Sequence, residues 1–77
     1  MKVDFIKYEI FDAYAACVET TTELKKLTNY LNSTFGADNI EIDNSYVFWV
    51  RFKHKEDEAF FIVLSSTGIE IDDIEID

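Results

Sequence analysis

The run TTTELKKLTNYLNSTFG, residues 20–36, constrains the fold more than any other part of the chain. Thr20 followed three residues later by Glu23 fits a capping box, in which side chains satisfy backbone N–H groups that a helix start leaves unpaired. Leu24, Leu27, Leu31 and Phe35 then fall on one face at i, i+3, i+7 and i+11. Gly36 stands just beyond, where a left-handed C-cap is wanted. The spacing predicts a helix over 21–34. Everything else reads as β-structure, so the chain is expected to be an α+β domain with one helix on a sheet.

VDFIKYEIF near the N-terminus is rich in β-branched and aromatic residues and predicts a strand. AYAACVE is either the returning strand of a hairpin turned near Asp12-Ala13 or an early start to the helix; the hairpin is the preferred reading. After ADN, the segment IEID leads through NS into YVFWVRFKH, KEDE is read as a turn into the strand AFFIVLS, and STG turns into the acidic ending. The expected order is ββαββββ, or βαββββ without the first hairpin, with five or six mostly antiparallel strands in a single domain spanning 1–77.

A two-residue loop at Glu56-Asp57 sets Lys55 opposite Glu58 and Phe52 opposite Phe61. One sheet face then carries Tyr46, Phe48, Val50, Phe52, Phe61 and Val63. The other carries Val47, Trp49, Arg51, Lys53, Phe60, Ile62 and Leu64. One short helix cannot cover both, and the second face does not alternate to polar residues as a solvated one does. Val47, Trp49, Phe60, Ile62 and Leu64 are therefore expected to form a homodimer or partner interface, unless the N-terminal hairpin folds across them. Size argues the same way. A chain of 77 residues buries only about 60% of its unfolded surface, and small domains rely on disulfides, metals or oligomerisation. Cys17 is the single cysteine, so a disulfide within the chain is excluded. In the run YAACV it is read as a buried, reduced thiol of a cytosolic protein. The N-terminus lacks the continuous apolar stretch of a signal peptide, and no run approaches the ~20 apolar residues of a membrane helix.

The formal charge is −9 and unevenly placed. Residues 1–37 hold five acids against four bases; residues 38–77 hold eleven acids against Arg51, Lys53 and Lys55, a net of −8. That balance disfavours DNA, RNA and anionic membranes as direct ligands, because binding them requires Lys and Arg to replace counterions. Basic proteins are the natural partners. In the closing GIEIDDIEID, a three-residue loop with Gly68 in the left-handed position and a β-bulge at Asp72-Asp73 would place Ile69, Ile71, Ile74 and Ile76 on the core side. Glu70, Asp72, Asp73, Glu75 and Asp77 would then stand in a row, with Glu41 and Asp43 adding charge to the same half of the chain. Alternate strand residues are about 6.6–6.8 Å apart. Such a ladder has a spacing of the same order as a phosphate backbone. Protection of an edge strand against aggregation is the competing explanation. Size, acidity, aromatic content and the EIDDIEID ending resemble small phage-encoded DNA mimics, including inhibitors of histone-like bacterial nucleoid proteins. The resemblance implies a homodimer that blocks the DNA-binding surface of a basic DNA-binding protein without performing chemistry, in keeping with the cytoplasmic location read from Cys17.

No catalytic or cofactor signature emerges. One His and one Cys do not assemble a nucleophile–base pair, and His54 reads as a solvated turn residue. The two glycines are isolated, so no phosphate-cradling loop is present. Asp38, Glu41 and Asp43 lack the D-x-D-x-D-G spacing of a calcium loop. The expectation is a binding protein, neither an enzyme nor a cofactor carrier.

Overall fold

The computed structural model describes residues 2–44 and 47–74. In chain order these form β1 (Lys2–Val3), β2 (Ile6–Tyr8), a 3-10 turn (Glu9–Phe11), β3 (Ala13–Ala16), α1 (Thr21–Phe35), β4 (Ile40–Asp43), β5 (Phe48–Phe52), α2 (Lys55–Leu64), β6 (Ile69–Glu70) and a second 3-10 turn (Ile71–Asp73). The fold is α+β with two helices and six short strands, where the sequence predicted one helix. A four-stranded antiparallel sheet has the order β2-β3-β5-β4, and β1 pairs with β6 in a separate two-stranded ladder.

α1 forms where its pattern predicts. The Thr20 hydroxyl accepts the Glu23 backbone N–H at 3.1 Å and donates to the Glu23 carboxylate at 2.8 Å, so the two side chains close the first turn together. Leu27, Leu31 and Phe35 are buried. Gly36 ends the helix with φ +91°, a backbone state that favours glycine. α1 also connects β3 to β4, which flank β5 and are both antiparallel to it, so β3 and β4 run parallel as a crossover requires.

The segment 55–64 is the principal correction. The predicted KEDE turn and AFFIVLS strand are one helix, α2. Two local facts explain this. A two-residue hairpin loop needs positive φ at both positions, which Asn-Gly supplies and Glu-Asp does not. Glu56, Asp57 and Glu58 instead occupy the first turn of α2, where carboxylates complement the positive end of the helix dipole. A continuous apolar run carries no periodicity that separates strand from helix. Tertiary packing decides it. Phe61 is fully buried, its ring 4.8 Å from Phe52, 5.0 Å from both Phe5 and Tyr14 and 6.3 Å from Phe35.

The strand pairings assign the faces of the main sheet. Tyr14, Ala16, Phe48, Val50, Phe52, Ile40 and Ile42 share the side covered by the helices, and all belong to the core or pack against it. The alternation predicted for Phe48, Val50 and Phe52 against Trp49 and Arg51 therefore holds within β5. Tyr46, assigned to the same face, lies outside the described residues. The hairpin reading of AYAACVE is correct, since β2 pairs with β3 in the register Ile6↔Ala15 and Tyr8↔Ala13. Cys17, expected to be buried, is exposed because β3 ends one residue before it.

Within residues 69–74 the acidic ending neither pairs with residues 59–64 nor forms a bulged strand. Among the described residues of the ending, Ile69 and Glu70 form the strand, pairing Ile69 with Val3 and Glu70 with Lys2. The chain then tightens into the 3-10 turn, which buries Ile71 and exposes Asp72 and Asp73. Gly68 takes positive φ, +85°, but in the connection from α2 to β6 and not in the predicted three-residue hairpin loop. A Cβ there would stand 3.0 Å from the Asp4 carboxylate and 3.3 Å from the Lys2 side chain. No helix among the described residues is long and apolar enough to cross a membrane.

Candidate interaction surfaces

Two kinds of surface follow from this architecture, one acidic and one aromatic. The acidic residues are dispersed over several elements. Glu70 lies on β6, Asp72 and Asp73 on the 3-10 turn, and Glu41 and Asp43 on the edge strand β4. Glu75 and Asp77 fall outside the described residues. A regularly spaced ladder over 70–73 is therefore absent, because a 3-10 turn points successive side chains around an axis instead of alternating them across a strand. The Asp72 carboxyl is held below the usual carboxylate range.

Lys7, Arg51 and Lys53 make internal contacts. Lys7 Nζ lies 3.0 Å from Glu58, 3.9 Å from Glu9 and 3.8 Å from Asp12. Arg51 donates through Nε and Nη2 to the Phe11 carbonyl at 3.2 and 2.9 Å, and its Nη1 lies 3.3 Å from Glu41. Lys53 Nζ donates to the Asp38 carbonyl at 2.9 Å. Glu58 receives both Lys7 and the Tyr14 hydroxyl, the latter at 2.8 Å, tying β2 and β3 to α2. The Tyr14 hydrogen bond and then the Lys7 contact hold the Glu58 carboxyl below its ordinary range. Burial, reinforced by Glu58, pushes the Tyr14 phenol up to about 12.

The aromatic surface is the sheet face opposite the helices. Ile6, Ala15, Trp49 and Asp43 align across the four strands, and Arg51 faces Glu41 in the next row. The 3-10 turn Glu9–Phe11 folds partly over this face, so the N-terminal hairpin supplies some of the cover that the sequence left to a second subunit. The Tyr8 and Phe11 rings stand 5.3 and 5.5 Å from Trp49. Cover is incomplete: Ile6, Tyr8 and Phe11 are exposed and Ile10 is 91% exposed.

Phe60, Ile62 and Leu64, assigned to the same interface as Trp49 and Val47, do not share that face. They lie on α2, on the other side of the sheet. Phe60, Ile62 and Val63 point outward, while Leu64 packs partly against the core. The sequence reading missed Tyr8, Ile10 and Phe11 as surface aromatics and aliphatics; the alternation VDFIKYEIF held the signal only once the 9–11 turn was known. Among the described residues, no group of three or more His, Cys, Asp and Glu side chains is placed to hold a metal ion. His54 is exposed at the start of α2. Compared with protein-family models, curated proteins and solved structures, the chain matches none.

Proposed function

We propose that this protein is a binding protein whose acidic surface captures a basic nucleic-acid-binding protein and occupies the surface that protein uses for DNA or RNA. The observation that supports the reading is the charge balance. A net −9 is carried on 5201 Å² of surface, while Lys7, Arg51 and Lys53 are engaged with the protein's own acids and carbonyls. A field of this sign attracts a lysine- and arginine-rich groove and accelerates encounter, with strong dependence on salt. With residues 71–73 coiled in a 3-10 turn, mimicry rests on charge density and not on regular phosphate-like spacing. A histone-like nucleoid protein remains the class of partner that the sequence resemblance suggests.

The experiment is capture of a purified histone-like nucleoid protein at increasing salt, with duplex DNA as competitor. Glu56→Gln, Asp57→Asn and Asp73→Asn together remove three carboxylates and should weaken capture several-fold; loss of two first-turn carboxylates of α2 costs about 0.3–1 kcal/mol each, so capture is compared well below the unfolding midpoint. Capture that persists at about 1 M salt, where the Debye length is near 3 Å, would contradict the proposal.

A second reading has its own observation. Tyr8 and Phe11 flank Trp49, and with Ile6 and Ile10 they expose apolar surface along the N-terminal hairpin, as a homodimer or adaptor contact requires. Sedimentation should then give twice the monomer mass and Trp49→Arg should reduce it. A monomer at high micromolar concentration would remove this reading and leave the first intact.

A further inference from the structure

The outer sheet face contains a cleft of about 470 Å³, within the range of sites that receive a small ligand or a side chain. Its cause is local. Ala13 presents only a methyl group beside Trp49 and Phe11, whose rings pack edge to face at 5.5 Å and together line one part of the cleft. Glu41, Asp43 and Arg51 complete the lining. Arg51 is already directed at protein groups: two of its nitrogens donate to the Phe11 carbonyl and a third to Glu41. It holds the 3-10 turn against the face, with three of its five N–H groups donated to protein acceptors. Glu41 and Asp43 outnumber the one guanidinium in the lining, and the Phe11–Trp49 ring pair offers an apolar surface beside them, so the cleft suits a cation with an apolar stem.

We propose that this cleft receives an arginine side chain of the basic partner, the stem lying against Phe11 and Trp49 and the guanidinium directed toward Glu41 and Asp43. Arginine fits better than lysine because its planar, weakly hydrated head stacks on aromatic faces and pairs with carboxylates in a fork. The inference rests on the reading that the partner is basic, and it adds a point of specificity that diffuse charge lacks.

Trp49 is the only tryptophan, so its emission and its indole N–H resonance report on the cleft directly. The full chain is titrated with a capped peptide alternating arginine and glycine, then with its lysine and citrulline counterparts; calorimetry reports binding independently. The arginine peptide should shift both Trp49 signals saturably, the lysine peptide should bind more weakly, and the citrulline peptide should leave the signals unchanged. Glu41→Gln, which also removes the exposed ion pair to Arg51, should weaken the arginine peptide about two- to five-fold. Binding by calorimetry with no change at Trp49 would overturn the cleft assignment while leaving the basic-partner reading standing. An equal response to citrulline would overturn the cation assignment. No binding of either cationic peptide would overturn both.

Discussion

Val63→Lys separates the two conformations that residues 55–64 can adopt. As a strand opposite β5, this segment would place Val63 on the core face beside Phe61. Lysine there would forfeit the burial of a valine, about 1.5–3 kcal/mol, and add the cost of enclosing a charge. A loss above about 3 kcal/mol would follow, against a total stability of about 4–12 kcal/mol for 77 residues. In α2, Val63 is 72% exposed. Only about a quarter of its burial is then at risk, or roughly 0.4–0.8 kcal/mol. Lysine recovers a few tenths through its better helix propensity. It also places a cation in a last turn that has none, worth about 0.3–1 kcal/mol. The net expectation is a change within about 0.5 kcal/mol, read as the urea midpoint at constant slope. Phe61→Ala is the control, because full burial among four rings predicts a loss of about 3–5 kcal/mol. A Val63→Lys loss above about 2 kcal/mol would refute the orientation of α2, and with it the separation of Phe60 and Ile62 from Trp49.

Other outcomes follow from single contacts. Thr20→Ala removes the acceptor of the Glu23 N–H and should cost about 1 kcal/mol in urea unfolding, with Thr20→Ser restoring most of it. Because the folded-state value of Tyr14 is raised to about 12, its contribution is intact below the ordinary phenol value near 10 and is lost as pH rises toward 12. Stability should fall there by at most about 1.4 kcal/mol per pH unit on this account, and Tyr14→Phe should remove that part of the slope. Glu58 acts in the opposite direction: its carboxyl is lowered, so its contribution is present above the ordinary value near 4.3 and disappears as acidification passes the lowered one. Glu58→Gln should flatten the acid limb of the stability profile.

Where residues carried redundant local signals, the sequence was enough. Thr20, Glu23, Leu27, Leu31, Phe35 and Gly36 agree on one helix, and the alternation of Phe48, Val50 and Phe52 with Trp49 and Arg51 assigns both faces of β5. Residues 59–64 carried no such redundancy. Ile62 and Val63 favour a strand by shape, and only the unsuitability of Glu-Asp for a tight hairpin and the three carboxylates of the first turn argued otherwise. The acidic tail failed for a different reason. Its isoleucines were read as a strand bulged by one residue, whereas β6 stops at Glu70 and the 3-10 turn buries Ile71 by coiling. The aromatic face was legible in part: Trp49 was identified from β5, but Tyr8 and Phe11 reach it through a turn held by Arg51, a contact forty residues away in sequence.

The central claim is that this acidic fold competes with nucleic acid for a basic protein. The most direct measurement is the affinity for a histone-like nucleoid protein as a function of salt, with and without duplex DNA. The account predicts mutually exclusive binding and a steep fall in affinity as salt rises. A ternary complex with DNA, or an affinity indifferent to salt, would contradict it.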